Sequence, residues 1–280
     1  MRFLEAGDDL KLGCQKDERM NIIVCIKQVP DVTEVSWDPE TGSLIRKGIP
    51  SIINPNDKNA IEAALQLREI NGGEVIVISM GPSQVEEALR EALGMGVDKA
   101  IQLTARLFAG SDTWATAYTL GLAVKKIGKY DLIICGKEAI DGMTAQVGPQ
   151  LAEYLSIPQL AYAMDIEVVE SKVRVKQKLG DLDRLLEAPM PALITVEREA
   201  YQPRVAPMDT ILEAYGKEIP VWKPDDLNGE EENFGLKGSP TKLRKVYTPK
   251  LIKGKVEMLE GGPEDIASKF IGKLKERYII

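Results

Sequence analysis

A doubly wound α/β fold, with a mostly parallel sheet and antiparallel strands at one edge, is predicted by three features of the 280-residue chain. Short runs of Val and Ile alternate with segments whose apolar residues recur at helical spacing, the pattern of strand–helix–strand units. Polar or glycine-rich stretches follow several of the apolar runs, as they do at the carboxyl ends of parallel strands. Between Gln159 and Arg198 the pattern changes to alternating apolar and charged residues, the signature of strands with one solvated face.

Residues 1–19, MRFLEAGDDLKLGCQKDER, mix both charge signs and lack the apolar core of a signal peptide. They are read as a disordered N-terminal extension, with Met20 as the natural start. Asn21 to Val29 is the first buried strand, and Val35 to Arg46 a hairpin about Asp38-Pro39-Glu40-Thr41-Gly42. Asn54-Pro55-Asn56-Asp57 offers capping side chains ahead of Ala60, Ala63, Ala64 and Leu67, and that helix stops at Asn71-Gly72-Gly73. Glu74 to Met80 is a strand, followed by Gly81-Pro82-Ser83 and an amphipathic helix that ends near Leu93. A strand at Lys99 to Thr104, a helix at Thr113 to Ile127 and a strand at Asp131 to Cys135 complete the repeating pattern. Ile166 to Val169, Val173 to Lys176 and Ala192 to Val196 read as antiparallel or edge strands of the same domain, which spans 20–205.

After Pro203 the chain becomes rich in Pro, Gly and charge. Helices are expected only at Asp209 to Tyr215 and at Pro263 to Tyr278, the second begun by Gly261-Gly262-Pro263-Glu264-Asp265 with Pro and acids in its first turn. Residues 206–280 read as an extended segment that lies on a partner, and a solvated tail fits the same composition.

Composition removes whole classes of function. The 43 acidic residues outnumber the 36 basic ones to give a net charge of −7, which disfavours a nucleic-acid partner. No apolar run approaches the roughly 18 residues that span a bilayer, so direct membrane insertion is not expected. The chain has no histidine, which eliminates Ser–His and Cys–His nucleophile pairs and most catalytic zinc sites. Cys14, Cys25 and Cys135 are odd in number and widely spaced, which fits neither a disulfide framework nor a zinc site and points to a reducing, cytoplasmic setting.

Four strand ends carry the candidate chemistry: Cys25 to Gln28 with Lys27, the Asn54-Pro55-Asn56-Asp57 turn, Met80 with Gly81-Pro82, and the loop Gly136-Lys137-Glu138-Ala139-Ile140-Asp141-Gly142-Met143-Thr144-Ala145-Gln146-Val147. Such a ring suits an adenine nucleotide. Backbone groups at strand ends read the base edge, and free amides at the start of the helix after Gly142 hold phosphate. Thr144 adds a hydroxyl and Gln146 an amide. Glycines after strands are also ordinary turn residues, and a lysine at a strand end is often only solvated. Neither a G-x-G-x-x-G loop nor a P-loop is present. Cys25 and Cys135 lie in apolar runs and read as small buried hydrophobes, and Met80 as core packing unless a pocket recruits it.

The segments IIVCIKQVPD at 22–31, INPNDKNAIEAALQLRE at 53–69, ALGMGVDKAI at 92–101, GKEAIDGMTAQVGPQLAEYL at 136–155 and PALITVEREAYQPR at 191–204 together resemble the beta subunit of electron-transfer flavoprotein. The resemblance runs from Met20 to near Thr248. It implies an adenine-nucleotide alpha-hydrolase-like fold, an alpha-subunit partner carrying the redox FAD, and nucleotide contacts from Cys25, 54–57, Met80 and 136–147. In one branch of the family the nucleotide is a structural AMP. In the electron-bifurcating branch a second FAD takes its place and accepts hydride from NADH, with ferredoxin or flavodoxin as a low-potential acceptor.

DGMTAQVGPQ resembles the bifurcating form, which typically reads DGDTAQVGPQ, so FAD is the expected cofactor and AMP the alternative. Gly142 is expected to let a diphosphate approach the backbone, and Met143 replaces the usual acid. Lys27 or the amides near it are expected by the flavin ring. The resemblance also places a docking element for a partner dehydrogenase or quinone oxidoreductase at 195–204, with Glu199, Ala200 and Tyr201 as contacts. Membrane association is expected only through such partners.

Overall fold

The valine- and isoleucine-rich runs pair into one twisted sheet. In a computed structural model, residues 19–31, 36–37, 44–45, 50–241 and 256–280 are described. The strands are β1 (Met20–Ile26), β2 (Gln28–Pro30), β3 (Ser36–Trp37), β4 (Leu44–Ile45), β5 (Ser51–Ile53), β6 (Gly73–Met80), β7 (Lys99–Leu103), β8 (Leu132–Gly136), β9 (Gln159–Val169), β10 (Lys172–Leu179), β11 (Leu182–Pro189), β12 (Ala192–Val196) and β13 (Val221–Trp222). The helices are α1 (Pro55–Asn71), α2 (Val85–Gly94), α3 (Thr113–Ile127), α4 (Val147–Leu155), α5 (Met208–Gly216), α6 (Pro224–Leu227), α7 (Gly235–Gly238) and α8 (Pro263–Glu276).

Nine strands form the main sheet in the order β11-β10-β9-β12-β8-β1-β6-β7-β13. From β9 to β13 all neighbours are parallel, and β9, β10 and β11 pair antiparallel at one edge. The chain moves outward from β1 through β6 to β7, then returns to the other side of β1 as β8. Strand order therefore reverses between β1 and β8, where a doubly wound sheet opens a crevice at its carboxyl edge.

Alternation along β1 divides the core. Ile22, Val24 and Ile26 face α1 and α2 in one apolar cluster, whereas Ile23 and Cys25 face α3 and α4 in another. Because helices cover both faces, the central strands are apolar throughout, unlike the half-solvated β9 to β11.

Three sequence expectations change. β12 is not an edge strand: it lies parallel between β8 and β9 with all five residues buried, as its continuous ALITV run demands. Asn54 stands at the N-cap of α1 without capping it, because its side chain is engaged across the sheet edge. Residues 206–241, expected to leave the α/β domain, belong to the same compact unit, which runs to Lys242. There β13 extends the sheet beside β7, and Phe234 is fully buried against Phe108 and Tyr118. The hairpin at 35–46 is represented by the β3–β4 antiparallel pair, its turn lying outside the described residues, as do residues 1–18.

The second unit, Leu243–Ile280, contains α8. Pro263, Glu264 and Asp265 occupy its first turn, with Lys269 on Asp265 at 2.7 Å and Lys273 on Glu257 at 2.6 Å. None of its helical residues is buried, and Val256, Met258, Phe270 and Tyr278 are exposed.

Candidate functional site

The strand reversal leaves two strand ends without a neighbour between them. β1 and β8 stay in register as far as Cys25 and Cys135, then diverge. The amide of Lys27, just past β1, donates to Asp57 Oδ2 at 2.7 Å, and the amide of Gly136 donates to the same carboxyl. Asp57, in the first turn of α1, thus closes the base of the crevice. It is 5% exposed, and burial pushes its pKa up to about 7 against the pull of its hydrogen bonds with Asn54, Lys27 and Gly136. Gly136 has to be glycine: a Cβ there would lie 2.3 Å from Asp57 Oδ1 and 2.7 Å from the Asn56 carbonyl carbon.

Above this base a cleft of about 470 Å³ opens. Cys25, Ile26, Met80, Leu120 and Cys135 give it an apolar wall. Lys27, Lys137, Glu138, Ala139, Gly142, Thr144, Ala145, Gln146, Val147 and Gly148 line it from the strand ends and the loop after β8, together with Gly136. Cys25 is pushed well above the ordinary thiol range by its hydrogen bond with Cys135 and by burial, so it stays a neutral wall residue.

The loop is held by asparagines. Asn54 Nδ2 and Asn56 Nδ2 both donate to the Glu138 carbonyl, at 2.9 and 2.7 Å, and the Ile140 amide donates to Asn54 Oδ1 at 3.1 Å. Asn54, Pro55, Asn56, Ile140, Asp141 and Met143 therefore lie outside the cleft lining, and the two asparagines act by fixing the loop. Lys27 Nζ meets both oxygens of Asp141, at 2.8 and 2.6 Å, linking the end of β1 to the loop. Met143 is 68% exposed and does not line the cleft. The left-handed backbone falls on Met143 (φ 47°) and Ala145 (φ 53°), whereas a Cβ on Gly142 would meet open space.

Two helices begin at the cleft. α3 is capped by Asp112, which accepts from the Ala115 amide at 3.1 Å and from the Thr241 amide at 2.9 Å. α4 has no side-chain cap, which leaves its first amides and the positive end of its dipole available to an anion. Thr144, Thr113, Gln146 and Lys27 line the same cleft, and these donors fit a phosphate-bearing ligand. Ser111, Asp112, Thr113, Thr116, Leu120 and Thr241 were not anticipated as cleft residues, although Ser111-Asp112-Thr113 is a helix-start signal that follows a strand.

Residues 41–227 match the family described as Electron transfer flavoprotein domain. The chain belongs to the electron transfer flavoprotein family. It is 47% identical over 261 residues to the electron transfer flavoprotein subunit beta of Clostridium acetobutylicum, covering 93% of this chain and 100% of that protein. It is 44% identical over 263 residues to the caffeyl-CoA reductase-Etf complex subunit CarD of Acetobacterium woodii, with 93% and 100% covered. Protein FixA of Azorhizobium caulinodans is 40% identical over 266 residues, with 92% and 95% covered. This flavoprotein beta chain has an electron-transfer role, and its cleft lies at the switch point of the flavoprotein domain. Among the described residues no helix is long and apolar enough to cross a membrane, and no cluster of three metal-ligating side chains occurs.

In the segment at 195–204, Glu199 is exposed with φ 70°, whereas Ala200 and Tyr201 pack partly against the core. The Tyr201 hydroxyl donates to Asp165 Oδ1 at 3.4 Å, and burial raises its pKa further beyond the phenol range.

Proposed function

We propose that this chain is the beta subunit of an electron-bifurcating electron transfer flavoprotein. Paired with an alpha subunit, it holds FAD in the switch-point cleft and takes electrons from NADH. It passes them separately to a high-potential acceptor and a low-potential one such as ferredoxin or flavodoxin. The observation that carries the reading is the chemistry of the phosphate side: residues 142–148 contribute no carboxylate to the cleft, Asp141 is tied to Lys27, and α4 is uncapped. A second phosphate meets less repulsion in such a site, where charges interact more strongly than in water. Bound FAD supplies hydride acceptance and one-electron transfer, while the protein supplies orientation and electrostatics. In this reading the α4 amides would hold the diphosphate, Lys27 or the amides near it would lie by the flavin ring, and Asp57 with the asparagines keeps the loop in place. The likeness to a subunit of a caffeyl-CoA reductase-Etf complex supports a flavin-linked CoA enzyme as partner, docked at 195–204. The setting is cytoplasmic, with any membrane contact made through a partner such as a quinone oxidoreductase.

A structural AMP is the second reading, favoured by the size of the cleft. About 470 Å³ is the volume of one ordinary small-ligand site, so an isoalloxazine would have to lie outside it against a partner, and AMP would not. Chromatography of the nucleotides released from the native heterodimer separates the two. The bifurcating form yields two FAD and no AMP per heterodimer, and one FAD with one AMP would overturn it.

A further inference from the structure

The 197–204 segment is fastened at both ends, with Arg198, Glu199 and Gln202 exposed between them. At its start Glu197 pairs with Lys137 at 3.0 Å, and Lys137 lines the cleft. At its end Arg204 is gripped by two carboxylates of α1. Its Nε and Nη2 donate to the two oxygens of Glu62 at 2.8 and 2.9 Å, its Nη1 donates to Glu69 at 2.6 Å, and its backbone amide donates to Glu62 at 3.1 Å. One turn earlier on α1, Asn59 accepts the Tyr201 amide at 3.1 Å. Asn59 and Glu62 are both buried, so these are fixed anchors. Arg198, Glu199 and Gln202 face solvent between them.

A bidentate guanidinium fork fixes direction as well as distance, which a lysine ammonium does not do. Holding an exposed arch in one shape before a partner arrives removes part of the ordering cost of association. The same α1 clamps the cleft loop with its first turn, so arch and cleft share one rigid support.

We propose that Arg204 is a positioning residue for partner docking: its fork on Glu62 and Glu69 holds the 198–202 arch, with its exposed Arg198, Glu199 and Gln202, on the helix that also clamps the cofactor loop. This inference rests on the docking reading of the same segment. In the native heterodimer, Arg204→Lys keeps the charge and loses the fork, and a flavin-containing acyl-CoA dehydrogenase serves as the partner probe. The expected result is a KM for the heterodimer raised about tenfold, the weight of roughly one charge-assisted hydrogen bond. Turnover at saturation and nucleotide content stay unchanged, and amide exchange across 198–202 becomes faster. The double variant Glu62→Gln with Arg204→Met removes both charges and leaves none buried alone. It is expected to show the same rise in KM.

An unchanged KM or unchanged exchange in these folded variants overturns the inference. Arg198→Ala and Glu199→Ala test the docking reading itself. If they raise KM while the Arg204 variants do not, positioning fails alone. If neither set moves KM, the docking reading and the inference fall together.

Discussion

Asp57→Asn separates the charge of the switch-point carboxyl from its shape. In the folded chain burial raises this carboxyl from 3.8 to about 7. The native state therefore keeps a proton that the unfolded chain has already released between those two values. Stability is highest when Asp57 is protonated, falls as pH rises from about 4 to about 7, and levels off above that. At about 1.4 kcal/mol for each pH unit, the full fall is about 4 kcal/mol. Asparagine cannot ionise, so the variant should show no such slope. It retains one acceptor for the Lys27 and Gly136 amides and leaves the other opposed by an NH₂ group, a constant cost of about 1–3 kcal/mol. Glu62 and Asp112 are lowered, Glu62 by its Arg204 bonds and Asp112 by its backbone donors. Their stabilisation is lost only as pH falls through still lower values, and it cancels between parent and variant. Urea unfolding from pH 4.5 to 8 gives the difference curve. The variant should gain about 3 kcal/mol on the parent across that window, since about 1 kcal/mol of the fall already lies below pH 4.5. Parallel curves would refute the argument, because they would mean that the hydrogen bonds from Asn54, Lys27 and Gly136 keep Asp57 ionised throughout.

Gly136→Ala drives a methyl group against Asp57 and the α1 backbone, at an overpacking cost of about 1–3 kcal/mol. Thermal melting should fall, and nucleotide recovered from the heterodimer should fall with it. Met143→Asp places an acid at a position that faces solvent. The identity and amount of released nucleotide should match the parent, and a switch between AMP and FAD would show that residue 143 acts on the cleft after all.

Much of the fold was legible because the central strands are short, apolar and separated by helical spacing. β1, β6 and β8 carry that pattern, and the loop after β8 is marked by its glycines. The place of β12 is obscured by the antiparallel strands that precede it in sequence, although its own composition is that of a buried parallel strand. Residues 206–241 are hard to read in the sequence for a different reason. β13 pairs through only Val221 and Trp222, and Phe234 is an isolated aromatic, so their burial depends on contacts distant in sequence. Within the site, residue types alone do not reveal which side chains fix the loop. The sequence presents Asn54 as a cap. The side chain of Asn54 instead fixes Glu138 and Ile140, and the glycine that packing requires is Gly136.

The position of Asp57 follows from the topology. Parallel neighbours satisfy one another's amides until strand order reverses, and there β1 and β8 separate with Lys27 and Gly136 each left with an unpaired N–H. An apolar residue at 57 would leave both donors buried and unmet, which costs more than a neutral carboxyl does. A side chain with two acceptor atoms on the adjoining helix resolves this, and it has to arrive in the first turn, where α1 passes closest to both strand ends. The same separation that strips the amides of partners also makes room for the cleft. Acceptor and ligand space are thus two consequences of one strand reversal, and a substitution at Asp57 should be felt in nucleotide retention even though the residue forms the floor of the site.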